Sequence, residues 1–446
     1  MTEETLITDK IKIEAVEELK LLIAQPSYNQ PAEDGAPFGP GIRKALDHVM
    51  NLCDQLGFRV YTDPAGYYGY AEIGEAGPTF GIIGHLDTVP AGDLTAWDTD
   101  PFKPEIKDGK IIGRGAQDDK GPTIAALYAV KALLDAGYHL KQKIRFIFGT
   151  DEEILWRGIA KYNEKESQID TGIAPDAEFP LIYAEKGLLQ AYLVGPGTDQ
   201  FSLKMDNAFN AVPAKAEYAG PKLAEVKAAL KKHHFEFEEI DGKVAVLGKS
   251  VHAMNAPQGI NAVLRLLIAL NDVFDFKPLK FIGDLFKEDA TGENVLGKLE
   301  DESGQLTFNI STFDVSEKET RLQIDLRLPA TITKEQIVKR LAARVKEFDL
   351  HYEDYDYLAP LFVPKDSDLV KTLMAVYREK TGDQTAEPTI SGGATFARTM
   401  HNCVAFGAML PDVPDFMHQA NEQWPLESMY KTMDIYAEAI KRLCFE

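Results

Sequence analysis

Cysteine is nearly absent from this sequence: Cys53, Cys403 and Cys444 are the only three in 446 residues. So odd and scattered a set excludes a disulfide framework, and no two fall at metal-ligand spacing. Basic residues are also short. Lys and Arg number 48 against 70 Asp and Glu, giving a net charge of −22. A surface that acidic repels phosphate backbones and anionic lipid, so no nucleic-acid or membrane partner is expected. No run approaches the roughly 18 uninterrupted apolar residues that span a bilayer. The opening MTEETLITDKIKIE has neither the basic start nor the apolar stretch of a signal peptide. Together these absences predict a soluble, cytoplasmic chain. Internal repeats and low-complexity linkers are missing too.

What is present suits a folded protein: 45% hydrophobic and 26% charged residues. At about 150 residues per domain, the length predicts two or three domains. Ile42, Ala45, Leu46, Val49, Leu52 and Leu56 mark an amphipathic helix stopped by Gly57. The apolar run TFGIIGHLDTV from Thr79, a nearly all-apolar helix opened by Gly121-Pro122, and the strand KIRFIFGTDEE argue for an α/β domain with a covered sheet. From residue 188 to 359 the texture changes to amphipathic helices and alternating strands such as RLQIDLRLP. One helix there begins with a capping box, Thr333 and Gln336. After residue 360 the α/β texture returns, with a helix around 367–380 and the strand CVAFGAML. The expected organisation is therefore a split domain, 1–187 with 360–446, around an inserted α+β domain, 188–359.

Five segments carry candidate chemistry. In Gly84-His85-Leu86-Asp87, at a strand end, alternation puts His85 and Asp87 on one side, so Asp87 can accept the ring N–H and orient the other nitrogen toward a metal. Alone, the pair is a weak signal, and a strand-end histidine bonded to a loop is the commoner reading. Asp118-Asp119, after Gly113-Arg114-Gly115, reads as helix-capping acids or as ligands; a phosphate loop is excluded because two aspartates occupy the anion's place. Asp151-Glu152-Glu153 ends an apolar strand, where acids must be solvated, capping or neutralised by a cation. Asp176 follows Pro175 in a loop, and His418 lies in Pro414-Asp415-Phe416-Met417-His418-Gln419-Ala420-Asn421-Glu422, another loop. Converging acids raise one another's pKa unless cations intervene, so if these segments meet, a two-metal hydrolytic site is the simplest account.

The ordered set GHLDTVPAG, GRGAQDDKGP, GTDEE, PDAEFP, GKSVHA and MHQANE resembles the co-catalytic zinc peptidase family of dipeptidases, carnosinases, aminoacylases and desuccinylases. It is most similar to the bacterial Xaa-His dipeptidase group of the dipeptidase V type, over nearly the whole chain. The resemblance implies a mixed-sheet catalytic domain with an enlarged ferredoxin-like lid. It implies two zinc ions, with manganese or cobalt as substitutes: His85 and Asp176 on one, Glu153 and His418 on the other, Asp118 bridging, and a cis peptide after Asp118. Glu152 matches the general base and Asp87 the orienting acid. In the insert, His252 of Gly248-Lys249-Ser250-Val251-His252-Ala253 matches a histidine that polarises the scissile carbonyl. Arg327 matches a clamp for the substrate carboxylate, and Asn210, Gly393 and Thr395 match residues lining the site. Where the family has a third glycine, this chain has Ala394, which bears on fine specificity. The lid's length favours a monomer.

The expected activity is hydrolysis of unblocked dipeptides by water activated between the two ions. Hydrolysis of N-acyl amino acids is the alternative within the same chemistry, and a non-catalytic scaffold is the alternative outside it. His48, His139, His233, His234, His351 and His401 are read as non-catalytic.

Overall fold

The computed structural model describes residues 5–446 and divides them into two compact units. The first is built from the chain up to Tyr183 with Val363–Ile390 and Thr395–Glu446; the second is Ala184–Phe362 with Ser391–Ala394.

In the first unit, the run from Thr79 forms a strand, Thr79–His85, buried at all seven positions. Lys143–Gly149 and Thr171–Ala174 flank it in parallel, and Cys403–Ala405 lies parallel beside Thr171–Ala174. Strands covered on both faces read as continuous apolar runs, which is why these lack alternation. Antiparallel strands Gly69–Ile73 and Arg59–Thr62 extend one edge, and the strand beginning at Ile182 pairs antiparallel on the other, so the sheet is mixed. The helix Lys120–Asp135 is apolar on nearly every side and correspondingly buried, packed between Asp9–Ile23 and Leu426–Cys444. Expected as one strand, CVAFGAML is two, Cys403–Ala405 and Ala408–Met409. Gly407 interrupts it at φ 69°, a left-handed conformation that breaks the extended run.

In the second unit an antiparallel sheet runs in the order Thr307–Val315, Glu319–Leu328, Gly187–Pro196, His351–Leu358. Alternation sends Leu189, Ala191, Leu193, Leu322, Ile324 and Leu326 into a core shared with helices Ala262–Asn271 and Lys334–Val345. The opposite face carries Gln190, Asp325 and Arg327. Thr333 and Gln336 form the capping box in both directions. A second, three-stranded sheet, Lys215–Tyr218, Lys243–Leu247 and Phe237–Ile240, enlarges this unit beyond a single α+β module. No helix among the described residues is long and apolar enough to cross a membrane.

Candidate metal centre

Four neighbouring parallel strands of the first unit end on one side, and the loops that leave them carry the expected residues. His85 closes Thr79–His85, Glu152 and Glu153 follow Lys143–Gly149, Asp176 follows Thr171–Ala174, and His418 lies beyond Cys403–Ala405. The carboxyl ends of parallel strands are where open α/β sheets bind ligands. Asp118 enters the same region from the loop before Lys120–Asp135, and the Asp118–Asp119 peptide is cis.

Asp118 sits between two histidines. Its Oδ1 lies 3.0 Å from His85 Nε2 and its Oδ2 lies 2.9 Å from His418 Nε2. Asp176 Oδ2 stands 3.6 Å from His85 Nε2, and Glu153 Oε2 stands 3.1 Å from His418 Nε2. The result is two three-residue groups that share Asp118: His85, Asp118 and Asp176, and Asp118, Glu153 and His418. In each, one potential ligand atom per residue lies within 4.8 Å of the others.

The tautomer of His85 shows what such a group lacks. Its Nδ1 is 2.9 Å from the carbonyl oxygen of Asp87, which can only accept, so Nδ1 carries the hydrogen. A neutral ring then turns a bare Nε2 toward two carboxylates, and that buried atom makes no hydrogen bond; neither does the buried Glu153 Oε1. Acceptors facing acceptors require positive charge between them. Protons supply it in the metal-free cluster: the Asp118 and Glu153 carboxylates push His418 up to about 10. At His85, burial acts downward, but the neighbouring carboxylates of Asp118, Asp176 and Asp87 carry it well above its ordinary value. Burial first, then neighbouring acids, raises Glu152, Glu153 and Asp176. A hard donor set of imidazole and carboxylate around a shared aspartate fits divalent cations.

Two findings differ from expectation or add to it. The Asp87 carboxylate was expected to take the His85 ring N–H; the Asp87 carbonyl does so, with Asp87 Oδ1 at 3.5 Å, while Oδ2 accepts the backbone N–H of Glu153 at 3.0 Å. Alternation correctly put the two side chains together, but the chain turns after His85 and brings the nearer carbonyl onto the ring. The three acids after the strand also separate by geometry. Asp151 is buried in a two-point pair with Arg157, Glu153 joins a ligand group, and Glu152 belongs to neither.

Within the second unit, Arg327 is buried and its guanidinium is forked by Asp325, Nε to Oδ1 at 2.9 Å and Nη2 to Oδ2 at 3.3 Å. Gln190 Nε2 donates to the same Oδ2 at 2.8 Å, and Arg327 Nη1 approaches Gly392 O at 3.5 Å. His252 Nδ1 accepts from Met254 N at 3.2 Å, so a neutral ring holds its hydrogen on Nε2. Burial, then the Arg327 charge, lowers its pKa. Asn210 accepts from Ala253 N at 2.8 Å through its carbonyl, next to the bridge between Ala211 and His252. A Cβ at Gly392 would stand 2.1 Å from Met254 Cε, so the end of that flexible side chain would have to move. Gly393 belongs to this unit. Thr395 belongs to the first, where its hydroxyl caps the short helix Phe396–Thr399.

Sequence reasoning offered Asp119 only as a helix cap or a ligand and gave Glu422 no role. Asp119 Oδ2 accepts from His85 N and Thr123 Oγ1, both at 3.0 Å, and Glu422 is wholly buried beneath the Asp118 loop. Asp119 stands in a Gly-rich motif and Glu422 closes MHQANE, and tertiary contacts alone interpret them.

The chain matches Peptidase family M20/M25/M40 over residues 81–442. Two proteins each carrying the name "Putative dipeptidase", from Staphylococcus haemolyticus and Staphylococcus epidermidis, are 36% and 37% identical to it over 461 residues, covering 97% of both chains. Among solved structures, the aminoacylhistidine dipeptidase of Vibrio alginolyticus aligns over 99% of this chain and 98% of its own, at 13% identity and a TM-score of 0.61. An M20 family metallo-carboxypeptidase of Sulfolobus solfataricus aligns over 96% and 98%, at 20% identity and a TM-score of 0.58. At those identities the likeness is one of fold.

Proposed function

Because the chain belongs to Peptidase family M20/M25/M40, we propose that it is a metal-dependent dipeptidase acting on unblocked dipeptides. The observation that carries this reading is the position of Asp118, one oxygen toward His85 and the other toward His418. His85 and Asp176 would hold one ion, Glu153 and His418 the other, and Asp118 both. Divalent ions bound there, zinc or in its place manganese or cobalt, supply Lewis acidity that polarises a peptide carbonyl and acidifies water.

The remaining steps belong to the protein. Glu152 takes the proton of the attacking water and returns it to the leaving amine. His252 donates from Nε2 to the carbonyl oxygen as it gains charge, a contribution of about 3–4 kcal/mol for a well-placed donor. Arg327 holds the substrate's C-terminal carboxylate and so limits length, with Asn210, Gly393 and Thr395 lining the site. Asp87 acts indirectly, through its carbonyl on His85 and its carboxylate on Glu153.

The test is turnover of Ala-Ala against N-acetyl-alanine by chelator-stripped enzyme before and after zinc, manganese or cobalt is restored. Metal-dependent hydrolysis of Ala-Ala is expected. Cleavage of N-acetyl-alanine alone overturns the dipeptidase reading in favour of an amidohydrolase, and binding of less than one ion per chain without activation overturns the metal reading.

A further inference from the structure

Glu422 is a wholly buried carboxyl group that no step above uses. Four donors converge on its carboxylate: Arg114 Nη1 at 2.7 Å and Gly115 N at 3.1 Å on Oε2, Gln117 N at 2.8 Å and Asp118 N at 3.2 Å on Oε1. All four belong to the segment that delivers Asp118. The lacing also runs the other way. The buried Gln117 amide donates to Pro414 O at 3.0 Å and Gln423 O at 2.9 Å, and accepts from Phe416 N at 2.8 Å. Gly113 N donates to Glu422 O at 2.9 Å. The loop that carries Asp118 is thus tied to the loop that carries His418 on both sides of the histidine.

A carboxylate suits this place because every group facing it is a donor. An amide there would turn its own N–H bonds against N–H bonds, leaving buried donors without acceptors. The ion pair with Arg114 explains why the charge can be buried. It does not explain why three backbone N–H groups, those of Gly115, Gln117 and Asp118 itself, are gathered on the same two oxygens. The other metal-facing residues are held elsewhere: Glu153 by Asp87, and His85 by Asp119 and the Asp87 carbonyl.

We propose that Glu422 is a positioning residue for the metal centre, one that sets Asp118 against His418 and thereby fixes the affinity for the ion those two residues share with Glu153. The inference rests on the reading that these side chains hold an ion.

The test is calorimetric titration of the chelator-stripped full chain with zinc alone, for wild type, Glu422→Gln, the double variant Arg114→Met/Glu422→Gln, and His418→Ala as the reference that marks which binding step belongs to this ion. Outer partners of metal ligands are commonly worth about 10–100-fold in affinity, so Glu422→Gln is expected to weaken the His418-dependent step by that factor while circular dichroism stays that of a folded chain. The double variant removes both charges of the buried pair and relieves the unpaired arginine, so its thermal stability recovers while its zinc affinity stays low. Unchanged affinity in Glu422→Gln overturns the proposal. So does recovery of wild-type affinity in the double variant, because Glu422 would then matter only as the counter-charge of Arg114. If Glu422→Gln does not fold, the double variant decides by the same criterion. Wild-type protein that takes up less than one ion overturns the metal reading itself, an outcome distinct from both.

Discussion

If Arg327 holds the substrate's carboxylate, as proposed, replacing it should separate that recognition from catalysis. The guanidinium is already forked by Asp325, which occupies Nε and one hydrogen of Nη2. What remains for a ligand is the end of the fork, and its charge is shared. The interaction is therefore worth about one charge-assisted hydrogen bond, roughly 1.5–3 kcal/mol, or about 10- to 160-fold in kcat/KM. The single change Arg327→Met is a poor probe, because it leaves Asp325, which is 0% exposed, with only Gln190 as partner. An unpaired buried carboxylate costs about 3–5 kcal/mol of stability. Arg327→Met/Asp325→Asn keeps the apolar stem and removes both charges. Its kcat/KM is expected to fall by the stated factor for Ala-Ala and to change little for Ala-Ala-amide, which offers no carboxylate. Equal losses on the two substrates would refute the assignment, since the damage would then be to packing or to catalysis.

Glu152→Ala should keep its two ions, measured by metal analysis, and lose about 100- to 10,000-fold in turnover; near-wild-type hydrolysis sinks the general-base role. Gly84→Ala should lower thermal stability by about 1–3 kcal/mol and weaken zinc binding, because its Cβ would lie 2.1 Å from Thr123 Oγ1 and 2.7 Å from Asp119 Oδ2, the oxygen that holds His85 N. Unaltered melting and metal affinity would show that the helix can shift freely. At Glu72, burial acts to raise the pKa from 4.5, but hydrogen bonds from Arg145 and Arg59 bring it below that value. Its stabilising effect is therefore complete above pH 4.5 and disappears as pH falls through the lower, folded-state value. Melting curves of wild type and Glu72→Gln should differ by a constant amount from pH 6 to 8 and converge in acid; a gap that widens in acid contradicts the sign.

Much of this was legible in the sequence because it is local. The apolar runs at Thr79 and Lys143, the helix after Asp119 and the capping box at Thr333 each state their structure within a dozen residues. The ordered motifs named the residues that the structure gathers at the two ligand groups. What escaped depends on distance or on fine backbone path. Gly407 breaks a strand that composition alone makes continuous. The choice between the carbonyl and carboxylate of Asp87 turns on less than an ångström. Glu152 and Glu153 are adjacent and chemically alike, and only His418, far along the chain, distinguishes them. Glu422 lies 304 positions from the Asp118 amide it accepts, so no window of sequence contains the pair. His351, read as non-catalytic, meets Glu353 on its own strand at 3.2 Å.

The long excursion into the second unit begins after Tyr183 and ends at Val363, and these two residues of the first unit share a rung: Val363 N donates to Tyr183 O at 2.9 Å. On a growing chain that rung cannot close until about 180 further residues have been made, on the order of 10–35 s of translation at 5–20 residues per second. Cys403–Ala405, which fills an interior place in the sheet, emerges later still, and His418 and Glu422 follow it. A nascent chain can therefore expose His85, Asp118 and Glu153 while lacking the partners that complete and brace them. On the roles proposed for His418 and Glu422, hydrolysis of dipeptides would begin only once nearly the whole chain has been made.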